Sequence, residues 1–95
     1  MSVFFIVQEE VKDPETLAQY GEKARAASMT GKVIAADGAP QVIEGDWHGD
    51  RVVVLEFPDE AAFRTWYDSP AYQEALKIRL ASTDSRAALV KGIGG

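Results

Sequence analysis

Apolar positions fall along the chain in short blocks of two kinds. Val3–Val7 (VFFIV) and Arg51–Phe57 (RVVVLEF) are nearly continuous, which marks strands covered on both faces. Elsewhere the apolar residues recur at helical spacing. Leu17, Tyr20, Ala24 and Ala27 give one stripe, and Phe63, Trp66 and Tyr67 followed by Tyr72, Ala75, Leu76 and Leu80 give another. Local chemistry punctuates these blocks. Asp13-Pro14 starts the first helix, an Asp cap ahead of a residue that needs no donor, and Gly31 ends it. Pro58-Asp59 closes RVVVLEF and caps the next helix. Asp68-Ser69-Pro70 interrupts that helix and restarts it, with Ser69 as the second cap. Lys32–Ala36 (KVIAA) reads as a weaker strand ending in an Asp37-Gly38 bend, and Pro40 confines this region to a sheet edge or bulge. Gln41–Trp47 (QVIEGDW) reads as a strand and His48-Gly49-Asp50 as a turn. Ser82–Ser85 loops back into a last strand, Arg86–Lys91, and Gly92-Ile93-Gly94-Gly95 reads as a frayed end.

The order is strand, helix, strand (bent or split in two), strand, helix, strand. Two crossovers joined by a hairpin predict an α+β, ferredoxin-like βαββαβ sandwich in a single domain over residues 1–95. In that topology the first and third strands are central, and they are the two most apolar segments. Right-handed crossovers put the helices on one side of the sheet. Val3, Phe5 and Val7 then point one way while Phe4 and Ile6 point the other, and Val53, Leu55 and Phe57 oppose Val52, Val54 and Glu56. Both faces are apolar, yet the helices cover one. Face-to-face stacking of two sheets in a homodimer would bury the other. A three-residue turn at His48-Gly49-Asp50 sets Trp47 opposite Arg51 and Ile43 opposite Leu55. Glu44 and Glu56 become diagonal neighbours about 7–8 Å apart.

Charge and composition narrow the partners. The net charge of −5 and the lack of a basic stripe argue against nucleic acid. With no cysteine, disulfides, thiolate catalysis and cysteine-held metals are excluded. No run approaches the ~18 apolar residues of a membrane span. The first residues lack a signal-peptide layout, so the expected location is cytoplasmic. No glycine-rich phosphate loop precedes a helix, and no cofactor is called for.

The motifs EGDW, RVVVLEFP and WYDSPAYQ, followed by Arg79, resemble the DUF1330 family of small bacterial proteins, part of the dimeric α+β-barrel superfamily. The resemblance runs from the first strand to Leu89-Val90-Lys91-Gly92. It implies a ferredoxin-like protomer and a sheet-to-sheet dimer, but no established activity. It carries over Glu44, Gly45, Trp47, Arg51, Phe57, Trp66, Tyr67, Ser69, Pro70, Tyr72 and Arg79. The chain departs from the family pattern at Met29-Thr30-Gly31, where a paired glycine is usual, and at His48-Gly49-Asp50, which lacks a common proline.

Nearly every group suited to chemistry lies between Glu44 and Arg79. Glu44 and Glu56, set among valines, would have raised and coupled pKa values fit for acid–base work. Otherwise each is neutralised by Arg51, Arg79 or a partner's base, or reaches solvent. Ser69, Tyr72 and Arg79 compose an anion-binding corner, or else a helix start, a packed phenol and a surface ion pair to Glu74 or Asp84. His48, the one histidine, has no companion ligand for a metal and reads as a solvated turn or a base. Trp47, Trp66 and Tyr67 line a ligand cavity or are core. The preferred expectation is a dimer binding a small organic molecule, with acids among the candidates, in a cleft between the sheet and the second helix. Trp47, Arg51, Tyr67, Ser69, Tyr72 and Arg79 are its ligand-binding candidates. The alternatives are a cofactor-independent monooxygenase, isomerase or lyase, as in some superfamily relatives, using Glu44, Glu56 or His48 as base, and a structural or regulatory dimer.

Overall fold

The two most apolar segments lie side by side. In the computed structural model, which describes residues 2–27 and 29–93, β1 (Val3–Val11) pairs with both β3 (Arg51–Phe57) and β4 (Thr83–Lys91), and β3 pairs with β2 (Lys32–Asp37). The sheet order is β2-β3-β1-β4, antiparallel throughout. α1 (Pro14–Ala26) connects β1 to β2, and α2 (Glu60–Tyr67) with α3 (Pro70–Ser82) connects β3 to β4. This is the ferredoxin-like α+β arrangement, with the expected strands at its centre.

Alternation along β1 divides the sheet as the sequence indicates. Val3, Phe5 and Val7 are buried beneath the helices, whereas Phe4, Ile6 and Gln8 are half-exposed on the open face. Leu55 and Phe57 join the buried set, and Phe63, Trp66 and Tyr72 close over them. The rings interlock: Phe57 lies 5.3 Å from Phe63 and 5.4 Å from Trp66, and Trp66 lies 4.0 Å from Tyr72. The caps are the predicted ones. Asp13 accepts from the Thr16 amide, Asp59 from the Ala62 amide and Ser69 from the Tyr72 amide.

Five local expectations are corrected. Residues 41–47 form no strand. The edge of β3 they would occupy is taken by β2, with Val33 opposite Leu55 and Ala36 opposite Val53, and a bulge between Val33 and Ala35. The hairpin with Trp47 opposite Arg51 therefore does not form, and Glu44 and Glu56 are not cross-strand neighbours. Instead the returning loop is pinned across β1: the Asp50 amide donates to the Glu9 carbonyl (2.9 Å) and the Val11 amide to Asp50 Oδ1 (3.1 Å). α1 stops at Ala26, before Gly31. The strand from Val3 runs on to Val11, past its apolar block. No loop separates α3 from β4, which starts at Thr83 directly after Ser82. The inner face of α3 continues through the buried Arg79, and Leu80 is 59% exposed. Of the end expected to fray, Gly94 and Gly95 lie outside the described residues, while the Gly92 amide bonds the Ser2 carbonyl (2.8 Å).

Two glycines are there for closeness. A Cβ at Gly31 would collide with the Glu56 carbonyl and the Phe57 ring, and one at Gly49, whose φ is +83°, with the Glu9 backbone. Gly38 has open space around it. Gly31→Ala and Gly49→Ala are each expected to cost about 1–3 kcal/mol, whereas Gly38→Ala stays within about 0.5 kcal/mol. Midpoints of urea unfolding measure all three.

Candidate functional site

Small residues on α1 leave its underside unfilled. The helix turns Leu17, Tyr20, Gly21 and Ala24 toward the sheet. An alanine-rich stripe predicts close approach, but α1 packs along α3 and stands off the strands. The contact that sets this spacing is Tyr20 against Tyr72, edge to face at 6.2 Å, with their hydroxyls hydrogen-bonded at 2.9 Å. Beneath α1 lies a cavity of about 530 Å³, floored by Phe5, Val7, Val53 and Leu55. Close-packed interiors tolerate few voids larger than a water, and this volume falls in the range of small-molecule sites, roughly 300–1,000 Å³. The cavity is thus under the first helix rather than under the second, where the sequence suggests a cleft.

Its polar end gathers Glu9, Arg51 and Arg79. Glu9 is 3% exposed because it continues the inward phase of Val3, Phe5 and Val7. Arg51 Nε sits 3.3 Å from Glu9 Oε1. Burial raises the Glu9 carboxyl above the ordinary range; Arg51 and then Arg79 oppose that shift, and Asp50 adds to it. Arg79, also 3% exposed, donates from Nη1 to Ser85 Oγ (2.8 Å) and lies 5.9 Å from the centre of the Tyr20 ring. Burial pushes the Tyr20 phenol up, assisted by Tyr72, so Tyr20 stays neutral. Among the described residues two buried side-chain donors have no acceptor, Arg79 Nε and Trp66 Nε1, and both residues line the cavity.

Of the residues the sequence singles out, Arg51, Trp66 and Arg79 line the cavity. Tyr72 stands behind it and reaches it through Tyr20. Ser69 has its hydroxyl engaged in starting α3, donating to the Trp66 carbonyl (2.7 Å) and accepting from the Tyr72 amide (3.1 Å). Tyr67 is stacked on Phe63 at 5.2 Å. Trp47 is exposed on the loop before β3. Glu44 is exposed on the same loop, Glu56 faces the open side of the sheet 3.6 Å from Lys32, and His48 donates from Nε2 to the Asp84 carbonyl (2.7 Å). None of these last three lines the cavity. Glu74 pairs with Lys77 (3.0 Å), not with Arg79. Sequence reasoning missed Glu9, Tyr20 and Gly21. For Glu9 a signal existed, since residue 9 shares the parity of 3, 5 and 7. Met29, at one of the departures from the family pattern, lines the cavity too.

A family profile described as "Domain of unknown function (DUF1330)" matches residues 2–93. Among curated proteins none matches. Among solved structures, RPA0582, a protein of unknown function from Rhodopseudomonas palustris, is 26% identical with a TM-score of 0.82, over 99% of this chain and 84% of its own. A dimeric ferredoxin-like protein of unknown function from Thermobifida fusca is 22% identical with a TM-score of 0.69, over 97% and 92%. SnoaB, a cofactor-independent oxygenase from Streptomyces nogalater, is 17% identical with a TM-score of 0.68, over 99% and 95%. Identities below 25% establish a shared fold alone.

The raised Glu9 carboxyl fixes a sign. Its folded state holds the proton more tightly than the unfolded chain does, so its contribution to stability is complete below pH 4.5, the ordinary value, and is lost as pH rises through the folded value. The slope is at most about 1.4 kcal/mol per pH unit. Glu9→Gln is expected to remove this decline, measured as urea midpoints from pH 4 to about pH 8.

Proposed function

The chain belongs to the DUF1330 family, and from that premise we propose that it is a homodimer, stacked sheet on sheet, that binds a small organic molecule beneath α1. The cavity carries the binding reading: about 530 Å³ with an apolar floor and a buried acid and base at one end. A void of that size left unfilled would forfeit contacts that its lining could otherwise make. Arg51 and Arg79 are the candidates to touch the ligand. Ser69 and Tyr72 act from behind, starting α3 and fixing its distance from α1.

The dimer is supported by the open face. Phe4, Ile6, Val52, Val54 and Val90 share it, and no helix covers them. At ~25 cal/mol per Å², burying a few hundred Å² contributes several kcal/mol, part of which association entropy offsets. The dimeric neighbour from Thermobifida fusca has the same fold. A second reading, cofactor-independent turnover, is favoured by one observation: Glu9 is a buried carboxyl inside the cavity, the kind of group that moves protons in general acid–base catalysis.

Two measurements test these readings. Ala24→Leu extends a side chain into the cavity from α1. It is expected to abolish binding of fragments that shift the Trp66 indole signal in NMR while holding or raising the melting temperature; fragments binding the variant unchanged would refute the location. Ile6→Asp is expected to convert a dimer to a monomer in light scattering, at least a hundredfold weaker in association. A wild-type monomer at micromolar concentration would overturn the dimer.

A further inference from the structure

The charges around the cavity run against those of the whole chain. The protein carries a net charge of −5, yet the charged side chains lining the cavity are Glu9, Arg25, Arg51 and Arg79. Glu9 pairs with Arg51 and lies close enough to Arg79 to feel its charge, so one carboxylate is shared between two guanidiniums. Among the described residues the Arg79 side chain makes one hydrogen bond, to a neutral hydroxyl, and keeps a buried Nε without an acceptor. Trp66 Nε1, 2% exposed as a residue, is in the same condition. A buried donor with no acceptor is costly, and more so when charged. Both nitrogens are sealed off from the cavity itself, so what a bound molecule meets at its polar end is two guanidiniums, Arg51 and Arg79, against the one carboxylate of Glu9, a net positive charge that suits an anion supplied from outside the chain.

Gly21 adds a second, independent observation. It lies inside α1, where glycine weakens a helix relative to alanine, and its φ is not in the left-handed region. Nothing in the fold requires it: a Cβ there would meet only Arg25 Nη1, at an ordinary 3.5 Å. It does line the cavity, next to Ala24 in the same stripe. A small residue that serves no packing in the empty site makes sense where the body of a bound molecule lies against the helix backbone.

We propose that the cavity takes a monocarboxylic acid with a hydrocarbon or aromatic body, its carboxylate set against Arg51 and Arg79 at the polar end and its body lying along α1 over Gly21 and Ala24. This rests on the binding role above and names its ligand class. Guanidinium–carboxylate bonds are charge-assisted and gain strength in such a water-poor setting. The apolar floor then rewards a body without further polar groups.

The test compares ligands that share a body and differ in the head group: phenylacetate with 2-phenylethanol, and hexanoate with hexanol. Each is titrated into the wild-type protein at pH 7, following the Trp66 indole and Gly21 amide signals. Each acid is expected to bind about tenfold or more tightly than its alcohol. Arg79→Lys, which keeps the charge but loses the planar guanidinium, is expected to shrink that preference, and Arg79→Gln to shrink it further, to about threefold or less. Gly21→Leu should weaken acids and alcohols alike. Equal or tighter binding of the alcohols overturns the carboxylate assignment and leaves the binding role standing. Failure of all four probes to bind overturns both. Should Arg79→Gln not fold, the wild-type comparison and the Lys variant still decide.

Discussion

The structure depends on β1 being hydrogen-bonded on both edges. Pairing with β3 on one side and β4 on the other fixes the direction of every β1 side chain, and a slip of one residue would exchange the two faces. With the register as it is, Val3, Phe5 and Val7 meet the rings of α2 and α3. Phe5 lies 5.0 Å from Phe63 and 5.6 Å from Tyr67. Each such buried apolar side chain contributes roughly 1.5–3 kcal/mol. The same phase carries Glu9 inward, beyond the end of that aromatic cluster. Burial of this acid is the consequence of a strand that keeps its alternation after its apolar residues run out.

What Glu9 meets there is decided by α1. Had its inner stripe carried large side chains, they would have filled the space above β3 and β2, and an acid would have had no place there. With Gly21 and Ala24 in the stripe, and Tyr20 braced on Tyr72, the helix is supported at α3 and leaves a gap over the strands. The hydrogen-bonded tyrosines act as a spacer. Both hydroxyls are satisfied by each other, so the contact tolerates burial, and Arg79 packs beside Tyr20.

Much of this was legible in the sequence where a local cause sufficed. The caps at Asp13, Asp59 and Ser69 are chemistry within three residues, and they stand as read. The central strands declare themselves by apolar content alone. The readings that failed depend on competition between distant segments. Val42, Ile43 and Trp47 fit a strand, Ile43 and Trp47 on one face and Val42 on the other, but a strand needs an edge, and β2 already holds the free edge of β3. Gly45, at φ +67°, further breaks an extended path. The apolar block from Val3 ends at Val7 because polarity begins at Gln8, and this hides the parity that turns Glu9 toward the cavity. Hydropathy favours Leu80 over Arg79 for the core, but the helical phase of α3 buries Arg79 and exposes Leu80.

The cavity and the proposed dimer face are two sides of the same strands. Val53 floors the cavity, while its neighbours Val52 and Val54 point through the sheet to the open face; Phe5 and Val7 stand in the same relation to Phe4, Ile6 and Gln8. Strands covered on one side alone bend more freely than strands clamped on both. Stacking a second sheet on the open face would therefore hold the cavity floor at a fixed curvature, and with it the separation between Glu9 and the helix-borne Arg79. On this account association is part of the binding site although no partner residue need enter it, because a rigid support for the polar groups is what lets them discriminate among ligands.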